Sequence, residues 1–593
     1  MIPNNNSVFR ILRIPTGGVV LKKLLIYLKD YRTECILAPF FKMLEALLEL
    51  FVPLVVASII DKGIGNNDIS YIIRMCLILA GIAMFALTVS LTAQYFAAKA
   101  AINFASRVRK SLFEHIQTLS YTELDGIGTS TLITRLTSDM NRIQNGVNMT
   151  LRLFLRSPFI VFGAMIMAFT IDTRSALIFV GAVILLSIVV FGIIIGCIPL
   201  YKKIQSGLDD LLDITRDNLS GVRVLRAFCN EDSEIRQFNR SNRILSESQK
   251  FAGRISALMN PLTFIIINFA VIILIHTGAV QVNSGDLTQG EVVALYNYMS
   301  QILIELIKLA NLIITITNAV ACGNRVQEVF EIAPSIISGS VTEYDKTSKY
   351  IVEIKNACLR YKNAAEYSLE NIDLTVERGQ TVGIIGSTGS GKTSLVNIIC
   401  RFYDTEQGEV IVNGHSVKDY SLQTLRNMIG IVPQKAVLFK GSIRDNMKWG
   451  NEKATDNEIM QAIITAQAED IVKSKGGGLD EVIEQGGKNL SGGQRQRLTI
   501  ARALVKKPEI LILDDSSSAL DYATDAKLRR ELRNTDFSPT VFIVSQRAAS
   551  IRYADKIIVL DDGKAVGIGT HDQLLKTCGV YKEIYDSQFD KEG

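Results

Sequence analysis

Thr381-VGIIGSTGSGK-Thr393 decides the architecture of the C-terminal half of the chain. Its opening residues are apolar and mostly β-branched, the composition of a buried strand. Gly386, Ser387, Thr388, Gly389, Ser390, Gly391, Lys392 and Thr393 then match GxxxxGK[ST], and Ser394-LVNIICRF continues in a helical pattern. In a strand–glycine loop–helix setting, backbone N–H groups and a helix N-terminus cradle phosphates. Lys392 is expected to reach the β and γ oxygens, and Thr393 to offer its hydroxyl to Mg²⁺. From Tyr350 onward short β-branched runs alternate with helical patterns, which predicts an α/β domain on a mostly parallel sheet.

Further along, Glu509-ILIL-Leu513 reads as a second buried strand that delivers Asp514 to the edge of the sheet. Asp514 is the expected second magnesium ligand. A serine-rich turn, from Asp515 to Asp521, follows it. Before that strand stands Leu490-SGGQRQR-Arg497, led by Glu484-QGGKN-Asn489. Taken alone, Ser491 before Gly492 and Gly493 is a helix N-cap signal.

The N-terminal half is different in kind. The 593 residues are 48% hydrophobic and 21% charged, and the apolar weight falls before residue 325. Six apolar stretches, about 35–60, 71–98, 145–171, 175–200, 255–282 and 288–322, each cover the roughly 20 residues that cross a bilayer core as a helix. The loops 61–70, 172–174 and 283–287 are short and carry only Lys62 and Arg174 as basic residues, whereas 99–144 and 201–254 hold six and ten Lys or Arg. The positive-inside rule makes those long segments, and both termini, cytoplasmic. Leu21–Arg32 (LKKLLIYLKDYR) is expected as an amphipathic helix on the inner membrane surface. The long segments read as helices that leave the membrane, turn at Gly126-Ile127-Gly128 and near Ser220-Gly221, and return.

Other classes fall away on composition. A net charge of +5 with scattered basic residues gives no footprint for nucleic acid. Eight single cysteines without a CxxC pair argue against a disulfide framework or zinc. The expected organisation is a leader at 1–20, a six-helix membrane domain at 21–325, a linker at 326–348 and an ATP-binding domain at 349–593.

With the phosphate loop, LSGGQ and the strand-end Asp514 in this order behind six spans, the chain resembles one half of an ABC exporter. The likeness includes "PLVVASIIDKGI" at 53–64, "DNLSGVRVLRAF" at 217–228 and "ADKIIVLDDGKAVGIGTHDQLL" at 554–575. It implies an exporter-type helical membrane domain fused to an α/β P-loop nucleotide-binding domain, with ATP and Mg²⁺ as cofactors, in the cell membrane. Tyr361 in "CLRYKN" would stack on adenine. Gln434 in "IVPQKAVLF" would reach Mg²⁺ and relay movement to the membrane helices. Asp521 would communicate with the opposite site. Two nucleotide domains of the family sandwich two ATP molecules head to tail, so Ser491, Gly492, Gly493 and Gln494 would complete the site of a second half-transporter.

Two positions depart from that family pattern. Asp515 stands where the family places a glutamate, the base that polarises the attacking water, and Gln546 in "FIVSQRAAS" stands where it places a histidine. The aspartate carboxylate is set back by about 1.5 Å, and a misplacement of about 1 Å can cost on the order of a hundredfold in rate. Glutamine cannot offer a cationic ring. The expectation is a heterodimer in which this chain's own site binds ATP and cleaves it slowly while its LSGGQ serves a partner; a homodimer is the alternative.

Charges inside a membrane are costly and mark function or pairing. Lys42, Glu45 and Glu49 share one face of the first span, and Glu305 and Lys308 are one turn apart in the sixth. Glu45, Glu49 and Glu305 are therefore candidates either for recruiting a cationic amphipathic small molecule or for structural ion pairs. The nearest resemblance is to bacterial multidrug half-transporters that work in unlike pairs. Peptide, lipid or siderophore export, or an ATP-binding regulatory subunit, are the other readings.

Overall fold

The computed structural model describes residues 24–589 apart from 345, 346, 363 and 475. The leader at 1–20 lies outside the described residues, as do the first three residues of the expected amphipathic helix. The chain divides into two compact units. One runs to Gln117 and resumes over Ser130–Ile332; the other joins Thr118–Thr129 to the chain from Ala333 onward.

The first unit holds six helical spans long and apolar enough to cross a membrane: Ile26–Ile64, Ile69–Thr118, Thr129–Ile171, Thr173–Ser220, Glu231–Ser284 and Gln289–Phe330. Most of each long segment between the spans is a helical extension of them, joined by the short helices Tyr121–Ile127 and Val222–Ala227. The segment before the first span differs from expectation. Leu25–Tyr31 is a 3₁₀ helix that runs straight into α1 (Arg32–Ser58), so it is not a separate α-helix. The second span is α2 (Ile69–Thr118), and its cytoplasmic turn contains the short helix α3 (Tyr121–Ile127), started by a Ser120–Glu123 capping box and stopped at Gly128 with φ 79°.

The third span breaks immediately before Arg156 into α4 (Met140–Leu153) and α5 (Arg156–Ile171). The fourth is one helix, α6 (Thr173–Ser220). The fifth breaks at Leu258 into α7 (Glu231–Ala257) and α8 (Met259–Ser284), where Pro261 withdraws an N–H from the ladder. The sixth, α9 (Gln289–Phe330), carries its buried stripe through Val326, Gln327 and Val329, so its last turn occupies what the sequence suggested was linker. α1 runs unbroken through Pro39 and Pro53, and the fully buried Tyr298 donates its hydroxyl to the Leu50 carbonyl of that helix at 2.5 Å. A helix carbonyl thereby satisfies the polar tip of the largest side chain in that core.

The second unit is built on two main sheets, beside a small pairing of Gly441–Ser442 with Val482–Ile483. An antiparallel sheet has the order β2 (Leu369–Glu377), β1 (Tyr350–Leu359), β4 (Gln407–Val412) and the short strand His415–Ser416. A six-stranded sheet contains β3 (Thr381–Gly386), β5 (Ile429–Val432), β6 (Ile510–Asp514), β7 (Thr540–Val544), β8 (Lys556–Asp561) and β9 (Lys564–Gly569), in the order β9-β8-β3-β7-β6-β5. Every pairing in it is parallel except β8 with β9. β6 and β7 are buried at all five positions, as continuous apolar runs in a two-faced parallel sheet should be. The linker is fastened to this unit: Gly339 N–H donates to the Tyr420 carbonyl, Val341 N–H to Asp419 and Ser421 N–H back to Val341, each at 2.9 Å.

Candidate functional site

Register brings the site together. Val544 at the end of β7 pairs with Ile384 of β3 on one side and with Asp514 of β6 on the other. The phosphate loop, Asp514, Asp515 and the 545–548 turn therefore leave the sheet along one carboxyl edge, where α/β sheets bind ligands. The loop climbs into α10 (Lys392–Ile399) through Gly391, whose φ of 94° suits glycine and whose Cβ would lie 2.5 Å from the Ser368 carbonyl.

Lys392 is largely buried and its Nζ donates to the carbonyls of Gly386 at 2.9 Å and Ser387 at 2.5 Å. Burial pulls its pKa down, and Asp515 and Asp514 oppose that pull. Thr393 Oγ1 donates toward both oxygens of Asp514 at 3.1 Å. Burial, with Asp515 beside it, pushes the Asp514 carboxyl up against the Thr393 hydrogen bond and the Lys392 charge. Ser390 Oγ is buried in the loop with no hydrogen-bond partner. These features fit a magnesium–nucleotide: a hydroxyl and a carboxylate converge, an ammonium lies behind them, and an unsatisfied loop hydroxyl faces the same cradle.

Asp515 is half-buried with φ 45°, an uncommon backbone for a residue with a side chain. Its N–H donates to the Val544 carbonyl at 3.0 Å, so the base of the side chain is tied to β7. Burial raises its pKa; Lys392, Arg547 and a hydrogen bond from Gln434 counteract it. Gln434 and Asp515 are thus neighbours. Gln546 is exposed, and its backbone carbonyl accepts from Gln588 Nε2 at 2.8 Å while Gln588 Oε1 takes the Ala548 N–H at 2.9 Å. Gln588, on the C-terminal helix Gly579–Phe589, staples this turn, and nothing in the local sequence signals it.

Arg547 is a second residue that the sequence left unassigned. It reaches the Ser518 and Leu520 carbonyls at 3.4 and 3.5 Å and lies 5.2 Å from the Tyr522 ring centre, linking the Gln546 turn to the 515–521 loop. Asp521 ends that loop as the N-cap of the helix Tyr522–Arg533, accepting from Thr524 N at 2.8 Å. Ser491 and Gln494 form a reciprocal capping box at the start of the helix Gly492–Val505, and Ser491 and Gly492 are exposed. That leaves a 14-residue helix with an open, amide-lined N-terminus, the form in which a phosphate is received.

Tyr361 is part-buried, with its hydroxyl 2.9 Å from Ser394 Oγ and its ring edge-on to Tyr403 at 4.9 Å. Tyr403 donates in turn to Asp125 Oδ2 at 2.7 Å, and Tyr121 packs 4.8 Å from the Phe402 ring. α3, from the first cytoplasmic segment, is thereby docked one residue away from the expected adenine platform.

In the membrane unit Lys42 Nζ donates to Glu45 at 2.5 Å. Arg156, which the sequence reading passed over, donates to Glu49 at 2.8 and 2.9 Å and to Glu305 at 2.6 Å. Lys308 and Ser157 also donate to Glu305, both at 2.8 Å. Each of the three candidate carboxylates therefore has a cationic partner within this chain.

Residues 35–306 match the ABC transporter transmembrane region and residues 369–518 the ABC transporter family. An uncharacterized ABC transporter ATP-binding protein of Mycobacterium tuberculosis is 35% identical over 566 residues, 95% of this chain and 97% of its own length. YfiB of Bacillus subtilis, also uncharacterized, is 32% identical over 97% of this chain and 99% of its length. An ATP-dependent lipid A-core flippase of Syntrophus aciditrophicus is 32% identical over 82% of this chain and 80% of its length. A solved structure of a bacterial Atm1-family ABC exporter with ATP bound has the same fold, with a TM-score of 0.79 at 21% identity over 95% of this chain and 99% of that one. A chain of this kind is an ATPase coupled to transport, works as a dimer in the membrane and keeps its nucleotide-binding domain in the cytoplasm. With six membrane helices and a nucleotide-binding domain on one polypeptide, the chain belongs to the ABC transporter family as an exporter half-transporter.

Proposed function

We propose that this chain exports amphipathic small molecules as one subunit of a heterodimer, with its own ATP site slow and its LSGGQ completing the fast site of the partner. The observation that carries the proposal is Asp515, whose shortened side chain starts from a backbone tied to Val544, so that it cannot advance toward the γ-phosphate. Gln546 adds to it, since an amide neither takes up nor carries a proton at this position. Two relatives are named as lipid A-core flippases, which supports an amphipathic class of cargo.

Within the site Tyr361 offers its ring to adenine, and Lys392 and the loop amides hold the phosphates. Thr393, Asp514 and Gln434 are the groups to hold magnesium, which when bound shields phosphate charge and draws electrons from the bond to be cleaved. Asp515, with its pKa raised by burial, orients water and accepts its proton only from a distance. Asp521 and Arg547 tie this half-site to the loop that meets the partner.

The structural ion pairs of Glu45, Glu49 and Glu305 support a pairing role over recruitment of cations. The test is to purify the chain with its partner and to compare the loss of turnover on changing Asp515 with that on changing the partner's glutamate. A much smaller loss from Asp515 is expected, and equal losses would end the proposal.

A further inference from the structure

Taking the export of amphipaths as given, the membrane unit says something about the charge of the cargo. Lys42, Glu45 and Glu49 on α1, Arg156 in the third span, and Glu305 and Lys308 on α9 form one polar seam, and Arg152 stands four residues before Arg156 in sequence. Six of these charges pair off, because Glu45 is held by Lys42, Glu49 by Arg156, and Glu305 by Arg156 and Lys308. Arg152 is the seventh. It has no hydrogen bond or ion pair among the described residues, and its Nε is sealed from solvent. Asn148, one turn before it, and Gln301, one turn before Glu305, also bury an oxygen with no partner. Arg152 lies in the last turn of α4, across the short break from Arg156 at the start of α5. Arg152 is part-buried, a guanidinium without a counter-charge inside a membrane span is costly, and no carboxylate of the seam is left to neutralise it.

We propose that Arg152 receives the anionic headgroup, of phosphate or carboxylate class, of the exported amphipath. The surplus is one positive charge, since four cations (Lys42, Arg152, Arg156, Lys308) face three carboxylates (Glu45, Glu49, Glu305). A guanidinium suits either oxyanion through paired hydrogen bonds. The same surplus repels a cationic amphiphile, so the seam selects against the cargo that the carboxylates alone would suggest.

The test uses the full chain with its assembled partner in nanodiscs of phosphatidylcholine alone, so that no anionic lipid competes. Saturable binding of dodecyl phosphate and of dodecyltrimethylammonium, equal in chain length, is measured beside ATP turnover. At least tenfold tighter binding of the phosphate is expected, with that preference erased in Arg152→Gln and largely kept in Arg152→Lys. Equal or tighter binding of the ammonium by the unmodified protein overturns the inference. So does a preference that survives Arg152→Gln, the result if a carboxylate of the partner neutralises Arg152. If neither amphiphile binds saturably while ATP is still hydrolysed, the export reading on which the inference rests fails instead.

Discussion

Replacing Asp515 by glutamate should speed this chain's own site, the opposite of the usual result of altering a catalytic position. The backbone at Asp515 is fixed by its hydrogen bond to Val544 at 3.0 Å, so the reach of the carboxylate is set by the side chain alone. One added methylene advances it by about 1.5 Å, a single carbon–carbon bond. If about 1 Å of misplacement costs on the order of a hundredfold, restoring the reach is worth up to about 2.7 kcal/mol of barrier. Gln546 still lacks a titratable ring, which holds the expected gain to about tenfold; adding Gln546→His should recover roughly another tenfold. On the heterodimer reading, the assay is single-turnover ATP cleavage by the co-purified assembly, with the partner's expected glutamate changed so that only this site reports. Cleavage should also fall with acid sooner than an ordinary aspartate would dictate, because burial raises the Asp515 pKa and protonation removes the base. Unchanged or slower cleavage by Asp515→Glu would refute the reach argument.

Other outcomes are as specific. Tyr403→Phe keeps the ring beside Tyr361 but deletes the 2.7 Å bond to Asp125, so ATP binding should persist while stimulation of turnover by cargo drops several-fold in reconstituted vesicles. Glu305→Gln leaves buried Arg156 with Glu49 alone and part-exposed Lys308 without a counter-charge and should cost about 1–3 kcal/mol, read as a lower Tm of the membrane domain, whereas transport of cationic dyes by the surviving protein should not fall selectively. Burial alone would push Glu509 up, but hydrogen bonds from Tyr344, Arg378 and Asn413 outweigh it and hold its pKa below the ordinary 4.5. Its stabilisation is therefore complete above that value and is lost as pH falls through the lowered one; the Tm gap between the protein and Glu509→Gln should be flat at neutral pH and close in acid.

The strands and the helix that frame the candidate nucleotide site were legible because their pattern is local in sequence. The GxxxxGK[ST] motif is eight consecutive residues between a strand and a helix, and Asp514 ends an unbroken apolar run, so motif and periodicity together placed both on their elements. The six spans were legible for the same reason, since a bilayer sets a length that composition can be checked against. What escaped was long-range. Arg156 meets Glu49 across 107 residues and Glu305 across 149, and an isolated arginine in an apolar run gives no hint of either partner. Gln588 and Arg547 act on backbone carbonyls and amides, which every sequence contains, so their roles depend on where the chain passes. The overrun of α9 into the expected linker was readable from Val326 and Val329, whose spacing continues the buried stripe.

On the proposed reading the chemistry and the mechanics of this half-site are carried by different residues. Asp515 and Gln546 face bond cleavage. Tyr361, Tyr403 and α3 connect the adenine end to a segment that continues, on both sides, into membrane helices. An arriving adenine must share Tyr361 with Ser394 and Tyr403, so occupancy is felt at Tyr403 and Asp125 whether or not the γ-phosphate is ever released. Weakening the base slows emptying of the site without disturbing this path. A site that binds ATP and holds it can therefore still set the position of α3, while the cycle is timed by the partner's cleavage on the LSGGQ face that this chain supplies. Loss of the glutamate and histidine is tolerable for that physical reason, whereas loss of Tyr361 would not be: Tyr361→Ala should weaken ATP binding and coupling together.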